Sequence, residues 1–215
     1  MPSFSPCHDW PQILAIAGGS CSGKTTLAAY LRDYIGAEHC LVVRQDDYYH
    51  DITARGGSPM TNFDIPEALD FDLLRDNLLA FKRGDAVAMP QYDFTTHRRG
   101  PPKEPCLARP LIIVDGILIL AEPTLREVFD HGLYIRCAAD LRLSRRIDRD
   151  TAERGRTRDD VLRQFHDQVE PAHQSYVSPS KIHADIIINQ ADYISNLTAV
   201  AQSVVALLND KNRNK

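Results

Sequence analysis

The residues at 18–25 read Gly-Gly-Ser-Cys-Ser-Gly-Lys-Thr and match the phosphate-loop pattern G-x-x-x-x-G-K-[ST]. In such a loop, glycines let backbone N–H groups close around phosphates, the lysine reaches the β and γ oxygens, and the Thr25 hydroxyl can bind Mg²⁺. A chance match in a glycine-rich turn is the alternative, but an apolar run at 13–17 and a helical pattern after the loop disfavour it. We therefore predict a site for a nucleoside triphosphate with Mg²⁺, formed by Gly18, Gly19, Ser20, Ser22, Gly23, Lys24, Thr25 and Thr26.

Two acids follow apolar runs and are candidates for chemistry. Asp46 lies just after the run at 41–43, where a carboxylate can accept a proton from an attacking hydroxyl; capping or a solvated turn is an equally good local interpretation. Asp115 ends the run at 111–114, as an acid that touches the Mg²⁺ shell does in phosphate-loop enzymes. Asp115 could also be a turn residue beside Gly116, but the upstream phosphate loop favours the metal role.

Arginines are concentrated between positions 142 and 158. Helical spacing puts Arg142, Arg145, Arg146 and Arg149 largely on one face. A solvated face is the usual explanation of such a run, and the acids at 148, 150 and 153 could pair with several of the cations. Phosphoryl transfer needs cations over the transferring group, so a helix followed by a glycine-containing lid is the functional interpretation.

Composition places limits on the class of protein. The 215 residues carry a net charge of −4, with 43% hydrophobic and 25% charged residues, which predicts a soluble protein that does not bind nucleic acid. The five cysteines show no metal-ligand spacing and are expected to be reduced thiols. Residues 1–11 lack the pattern of a signal peptide, and no apolar run is long enough to span a membrane. We expect a cytoplasmic protein.

Short apolar runs alternate with helical patterns along the chain, which predicts an α/β fold: a three-layer, doubly wound parallel sheet in a single domain over 1–215. The predicted strands are 13–17, 41–43, 111–114, 133–137 and 185–188. The predicted helices are 24–35, 66–83, 123–130, 141–154, 158–177 and 194–208. The proline-rich segment 85–110 is predicted to be an inserted β-hairpin, 153–160 a lid, and 209–215 a disordered tail.

Several segments, in order, make the chain resemble the uridine/cytidine kinases of the phosphoribulokinase/uridine kinase superfamily. Besides the loop, the matching residues are Gln45-Asp46-x-Tyr48-Tyr49, Asn62-Phe63-Asp64-x-Pro66, Pro90-x-Tyr92-Asp93-Phe94-x-Thr96-His97-x-Arg99, the stretch 142–156 and Pro179-Ser180-Lys181. The resemblance covers the chain from about Ile13 to Ile188. Asp115 stands where the family more often has Glu, which can alter the distance from the acid to the metal.

The resemblance implies a role for each matching position. Asp46 would be the catalytic base for a nucleoside 5′-hydroxyl, and Lys24, Arg149 and Arg154 would act on the triphosphate. The implied metal site is Thr25 and Asp115. The implied nucleoside site comprises Tyr49 and Phe63 in the pocket, Asp64 and Arg146 at the ribose, Tyr92 and His97 at the base, and Arg156 and Gln164 as further contacts.

The implied reaction is transfer of the γ-phosphoryl group of ATP, or GTP, to uridine or cytidine. A carboxylate and an arginine on the ribose would favour ribonucleosides. Family members are commonly tetramers, so we expect a homo-oligomer. The alternatives are a kinase for nicotinamide riboside, pantothenate or ribulose 5-phosphate, a non-catalytic binding protein, and a GTPase switch. The GTPase interpretation is weakened by Gln190 at the lysine position of an N-K-x-D-like stretch.

Overall fold

A five-stranded parallel β-sheet forms the centre of the molecule, in the order β2-β5-β1-β6-β7. The computed structural model describes Phe4, residues 10–51 and residues 62–210. Two further short strands, β3 and β4, pair with each other in a separate antiparallel sheet. The strands are β1 Gln12–Gly18, β2 Cys40–Arg44, β3 Tyr92–Asp93, β4 Arg98–Arg99, β5 Leu111–Gly116, β6 His131–Arg136 and β7 Ile186–Asn189.

The central strand explains why the sheet has helices on both faces. All seven residues of β1 are buried, as expected of a strand covered on both sides. Its successive side chains point to opposite faces, so Ile13 and Ala15 enter one hydrophobic core while Leu14 and Ile16 enter the other. The predicted three-layer, doubly wound α/β fold is confirmed.

Helices cover both faces of the sheet. Leu27 and Leu31 of α1 and Val204 of α8 join the core on one face, whereas Leu74 and Leu78 of α2 join the core on the other. The helices are α1 Lys24–Ile35, α2 Phe71–Lys82, α3 Pro123–Arg126, α4 Ala139–Glu153, α5 Arg158–Gln164, α6 Glu170–Ala172, α7 Gln190–Ser195 and α8 Leu197–Leu208; 3₁₀ turns cover Gln45–Tyr48, Pro66–Ala68 and Pro179–His183.

Two predicted helices are interrupted, and a third, predicted over 123–130, ends already at Arg126. Instead of one helix over 66–83, a 3₁₀ turn ends before Leu69, which pairs with Tyr49 in an extended bridge, and α2 then begins after its N-cap Asp70. The predicted helix 194–208 is broken at Asn196, whose side chain caps α8 by accepting from the backbone N–H of Ala199. Long-range pairing and a local cap override the helical pattern in these two cases.

The predicted helix 158–177 is helical over its whole length, but it contains two π-helical segments, Phe165–Val169 and His173–Val177. They flank α6, where Pro171 has no N–H to donate. The chain therefore changes its helical pitch on both sides of the proline.

The inserted segment contains the β3–β4 hairpin, and a bridge between Val87 and Cys106 closes its base. Its side chains hold it against the sheet edge: the Arg99 guanidinium donates to the carbonyls of Tyr48 and Tyr49 and to the Asp70 carboxylate at 2.8–3.0 Å. The Lys103 ammonium also donates to buried Asp47 at 2.8 Å. Two-residue strands pair weakly alone, so these ion pairs and hydrogen bonds position the hairpin.

Some sequence predictions concern residues that the structure does not describe. These residues are 1–3 and 5–9, which include Cys7, and the tail at 211–215. Among the described cysteines, Cys21, Cys40, Cys106 and Cys137 are free thiols. Within the described ranges, no helix has both the length and the apolar character needed to cross a bilayer.

Candidate active site

The carboxyl ends of the parallel strands open into a cavity of about 1330 Å³. This edge is where ligands bind in doubly wound folds. The phosphate loop follows β1, the Asp46 turn follows β2, and Asp115 lies near the end of β5. Seven basic side chains and four acidic side chains line the cavity, so its wall suits a polyanion.

The phosphate loop depends on backbone shapes that glycine adopts readily. Gly18 and Gly23 have φ angles of 146° and 103°, and Cys21 is left-handed with φ of 61°. Gly23 caps α1 without a side-chain hydrogen bond, which leaves the N–H groups of the first helical turn available to an anion. The Lys24 ammonium donates to the Gly19 carbonyl at 3.0 Å and faces the cavity.

The underside of the loop packs closely against the remainder of the protein. A Cβ added at Gly19 would lie 2.9 Å from the side chains of Arg142 and His173, and one added at Gly23 would lie 2.8 Å from the Tyr193 hydroxyl. Ser22 is completely buried. Of the predicted triphosphate residues, Ser20, Gly23, Lys24, Thr25 and Thr26 line the cavity, while Gly18, Gly19 and Ser22 lie behind its surface.

The candidate metal ligands lie in direct contact. The Thr25 hydroxyl donates to the Asp115 carboxylate at 2.6 Å, and both side chains line the cavity. These two oxygen donors fit Mg²⁺, which commonly takes one or two protein ligands and completes its octahedron with water and phosphate. No group of three or more His, Cys, Asp or Glu side chains in the described ranges is arranged to hold a metal ion.

Asp46 lies on the 3₁₀ turn after β2 and faces the phosphate loop across the cavity. Burial, with a smaller effect of the neighbouring Asp115 carboxylate, raises the pKa of Asp46 above its ordinary value. The cations of Lys24, Arg154 and Arg149 oppose that rise. A carboxylate with a raised pKa, close to the cations expected at the phosphates, is suited to accept a proton from an incoming hydroxyl.

Aromatic side chains from three segments form a second part of the cavity wall. Phe63 stacks on His97 with ring centroids 4.9 Å apart and meets Tyr49 edge-on at 5.6 Å. Phe94 also lines the cavity, whereas Tyr92 lies behind it, 6% exposed, and packs on Tyr49 and Phe94 at 5.4 and 5.3 Å. A planar heterocycle fits such a wall.

His97 has the features of a neutral hydrogen-bonding group. Burial, followed by the charges of Arg156 and Arg154, lowers the pKa of His97 below its ordinary value. Its Nδ1 atom is buried without a hydrogen-bond partner in the structure, and its backbone is left-handed with φ of 55°. A strained residue holding an unsatisfied polar atom at a cavity wall is typical of a ligand site.

Asp64 and Arg146, the predicted ribose pair, are 7% and 5% exposed and line the same cavity. Burial raises the pKa of Asp64, and Arg146 is the strongest of the cations that oppose the rise. The Arg146 guanidinium donates to the Ser20 hydroxyl at 2.9 Å and to the Gln164 side-chain carbonyl at 3.1 Å. Gln164 also accepts from Arg156, so the two predicted nucleoside arginines share one amide.

The remaining predicted arginines lie around Asp150, a residue that the sequence did not single out. Arg149 and Arg154 line the cavity, and the guanidinium of Arg154 lies over the Phe94 ring, 4.5 Å from its centroid. Both arginines pair with the fully buried carboxylate of Asp150. Arg142, predicted on the same face, instead lies beneath the phosphate loop, 1% exposed, where it pairs with Glu170 at 2.6 Å.

The structure adds residues that sequence reasoning did not place in the site. Phe94 belongs to the hairpin motif and Arg145 to the arginine run, but neither signal assigns a wall of the cavity. Tyr193, Ile194 and Leu197 enter the same cavity beside the phosphate loop from the junction of α7 and α8. Ile194 and Leu197 belong to the predicted helix 194–208 and Tyr193 directly precedes it, so only the tertiary fold reveals their position.

Comparison with known proteins identifies relatives along most of the chain. Residues 13–195 match the model of the phosphoribulokinase/uridine kinase family. A uridine kinase of Chloroflexus aggregans is 42% identical over 179 residues, covering 82% of this chain and 86% of that protein. A uridine kinase of Bacillus mycoides is 42% identical over 183 residues, with coverage of 83% and 85%.

The fold likeness extends to more distant proteins. The phosphoribulokinase structure from Rhodobacter spheroides superposes with a TM-score of 0.60 at 15% identity, covering 83% of this chain and 70% of that one. At that identity the likeness concerns the fold alone.

Proposed function

This chain belongs to the phosphoribulokinase/uridine kinase family, and from this premise we propose that it transfers the γ-phosphoryl group of ATP to the 5′-hydroxyl of uridine or cytidine. One observation carries the proposal. A single cavity joins a phosphate loop, a carboxylate facing it at Asp46, and an aromatic wall beside the buried pair Asp64 and Arg146. The arrangement provides separate places for a triphosphate, a reacting hydroxyl, a ribose and a planar base.

The donor half holds phosphates mainly through backbone and charge. The loop N–H groups and the start of α1 bind the phosphate oxygens, and Lys24 leaves the Gly19 carbonyl for the β and γ oxygens. Thr25 and Asp115 would hold Mg²⁺, which neutralises charge on the β- and γ-phosphates when bound. GTP is an alternative donor, because these contacts read phosphates and not the base.

The acceptor half orients the nucleoside for attack. We propose that Tyr49, Phe63 and His97 hold the pyrimidine, with the open Nδ1 of neutral His97 available to a polar group on its edge. Asp64 and Arg146 would bind the ribose hydroxyls. Because a missing 2′-hydroxyl leaves these buried groups unpaired, ribonucleosides are preferred over 2′-deoxyribonucleosides.

The chemical step is an in-line displacement. The nucleoside 5′-oxygen forms a bond to the γ-phosphorus while the bond from that phosphorus to the β–γ bridging oxygen breaks, so ADP leaves. Asp46 takes the 5′-hydroxyl proton. Arg149 and Arg154, which line the cavity, stabilise the charge that develops on the transferring group, as positioned guanidinium groups do.

The wider setting follows from this chemistry. We propose that the product monophosphate enters pyrimidine salvage in the cytoplasm, that the chain acts as a single catalytic domain with a hairpin and a lid, and that it works as a homo-oligomer, by resemblance a tetramer. Gel filtration with light scattering tests the last proposal, and a monomeric active enzyme would contradict it.

Purified protein, ATP, Mg²⁺ and a panel of acceptors test the function. We expect ADP release with uridine or cytidine and much slower release with 2′-deoxyuridine, nicotinamide riboside, pantothenate or ribulose 5-phosphate. Release with one of the last three compounds and not with the pyrimidine ribonucleosides would replace the proposed acceptor. ATP hydrolysis without any acceptor would contradict the kinase assignment.

The variant Asp46→Asn tests the base. Its kcat should fall by about 10²–10⁴-fold, the range for loss of a general base, with ATP affinity within about 3-fold of wild type. Asp33→Asn, at an exposed acid on α1, is the matched control and should keep wild-type kcat. Unchanged turnover in Asp46→Asn would exclude Asp46 as the base.

A further inference from the structure

One fully buried carboxylate lies at the centre of the arginine cluster. Asp150 is 0% exposed, and the guanidinium groups of four arginines lie within 3.6 Å of its oxygens. The short contact is with Arg149, whose Nη2 and Nε atoms lie 2.8 and 2.9 Å from Oδ1. The other three partners, at 3.5–3.6 Å, are Arg146, Arg154 and Arg156.

These distances separate two kinds of contact. Arg149 is hydrogen-bonded to Asp150, whereas the pairs at 3.5–3.6 Å are longer than ordinary charge-assisted hydrogen bonds and are held mainly by charge. One negative charge among four positive ones leaves the cluster strongly electropositive. The carboxylate therefore keeps the cations together without neutralising them, and they remain able to turn toward another anion.

Asp150 also fixes the backbone turn that carries Arg154 and Arg156. The main-chain carbonyl of Asp150 accepts from the N–H groups of Arg154 and Arg156 at 3.2 and 3.1 Å, where α4 ends and the glycine turn at Gly155 follows. A side-chain substitution at 150 leaves these backbone bonds in place. The effect of the charge can therefore be separated from the effect of the turn.

We propose that Asp150 is a positioning residue for phosphoryl transfer: an internal anion that holds Arg149 and Arg154 at the cavity until the triphosphate arrives, and that keeps Arg146 and Arg156 in place for the nucleoside. Arg149 and Arg154 are 29% and 24% exposed at the cavity wall, so they can exchange part of their contact with Asp150 for phosphate oxygens. The inference rests on the proposed function of this cavity. Asp150 itself, being fully buried, does not touch a substrate.

A role in stability alone would give a different result. Removing one partner of a buried ion pair destabilises a protein when it leaves a buried charge unpaired. Here Arg149, Arg154 and Arg156 are 24–29% exposed and can be solvated by water, and buried Arg146 keeps its hydrogen bonds to Ser20 and Gln164. The isosteric variant Asp150→Asn is therefore expected to fold. What it loses is the charge that fixes where four guanidinium groups lie.

The experiment compares the wild-type chain with Asp150→Asn, using circular dichroism for folding, steady-state kinetics, and calorimetric titration for ATP affinity. We expect kcat to fall about 100-fold, because small displacements of catalytic groups lower the rate by about that factor. The KM for uridine should rise about 10-fold. ATP affinity should stay within about 3-fold of wild type, because the phosphate loop and Lys24 still bind the triphosphate. Asp148→Asn removes the same charge from an exposed site on α4 and should match wild type.

A folded Asp150→Asn enzyme with kcat within about 3-fold of wild type would overturn the proposal, as would a uniform loss of ATP affinity that accounts for the whole defect. If Asp150→Asn does not fold, Asp150→Glu decides the matter. It keeps the charge but moves it by one methylene, and a positioning role predicts kcat about 10-fold below wild type at unchanged ATP affinity. Wild-type kcat in Asp150→Glu would refute that role.

The wild-type arm keeps this test separate from that of the proposed function. If wild type does not phosphorylate uridine or cytidine, the proposed acceptor fails. The Asp150 comparison is then made with whichever acceptor in the panel the wild-type protein phosphorylates.

Discussion

The two ends of the cavity are built from different parts of the polypeptide. At the donor end, the phosphate loop presents main-chain N–H groups and depends on the left-handed or unusual φ angles of Gly18, Cys21 and Gly23. At the acceptor end, side chains from separate segments meet: Tyr49 after β2, Phe63 and Asp64 from the middle of the chain, and His97 from the hairpin.

This difference follows from what each end has to recognise. Phosphate oxygens are the same in every nucleoside triphosphate, so a short backbone motif is enough to bind them. A particular nucleoside differs from its competitors only in a few polar groups and in shape, which side chains on different elements must match. The donor end is therefore sensitive to small changes in backbone shape, and the acceptor end to changes in how its segments are held together.

The largest effect should come from the donor end. In Gly23→Ala, the added methyl group would meet the Tyr193 hydroxyl at 2.8 Å while the backbone stays at φ of 103°, a conformation that alanine rarely adopts. The loop must shift away from its phosphate-binding shape. We expect ATP affinity, measured by calorimetric titration, to fall about 100-fold, or about 2.7 kcal/mol.

Gly84→Ala is the matched control, because Gly84 has φ of 83° but nothing within 4 Å of an added Cβ. Both variants should lose about 1–2 kcal/mol of stability from backbone strain. ATP affinity equal to wild type in Gly23→Ala would show that the donor end does not depend on this backbone shape.

A smaller effect should come from removing contacts that hold the hairpin at the acceptor end of the cavity. Arg99→Ala removes the hydrogen bonds from the hairpin to the carbonyls of Tyr48 and Tyr49 and to Asp70. The hairpin is then held less firmly against the aromatic wall, with the bond from Lys103 to Asp47 and the bridge between Val87 and Cys106 left in place. We expect the KM for uridine to rise about 10-fold, which corresponds to about 1.4 kcal/mol, while ATP affinity remains unchanged.

Its neighbour on β4 provides the control. Arg98 is exposed, so Arg98→Ala should leave the KM for uridine within about 2-fold of wild type. Equal weakening of ATP and uridine binding by Arg99→Ala would mean that the two ends of the cavity are not built separately.

The same contrast explains what could be predicted from the sequence. Helix α1 is confirmed at Lys24–Ile35, and the strands of the main sheet lie within two residues of their predicted ends, because local hydrophobic patterns and the glycine loop specify them. The break before α2 depends on the pairing of Leu69 with Tyr49, twenty positions away. No local pattern contains that information.

The candidate site also contains residues that the sequence predicts and residues that only the tertiary structure reveals. The phosphate loop follows from a contiguous motif, but from local residues alone Asp46 is as good a turn residue as a base, and its suggested role comes from resemblance. Asp150 could be counted only as one of several acids near arginines. That it is fully buried among four of them is a property of the tertiary structure.

The smallest predicted effect concerns the junction between the two ends, where Asp46 faces the phosphate loop. Because burial and Asp115 raise its pKa, the ionised Asp46 is less favourable in the folded protein than in the unfolded chain. The stabilising contribution of this group is therefore complete when it is protonated, below its unfolded pKa, and is lost as pH rises through its raised folded pKa. The wild-type protein should lose stability over that range.

Asp46→Asn removes this loss, so its Tm at pH 8 should exceed that of wild type. The difference should shrink as pH falls toward the unfolded pKa of an aspartate. Differential scanning fluorimetry across pH measures both effects on the same variant whose turnover is lost. A lower Tm for Asp46→Asn at pH 8 would mean that the surrounding cations favour the charged form more strongly than burial opposes it. A higher Tm would mean that the fold tolerates an unfavourable charge at the point where donor and acceptor must meet.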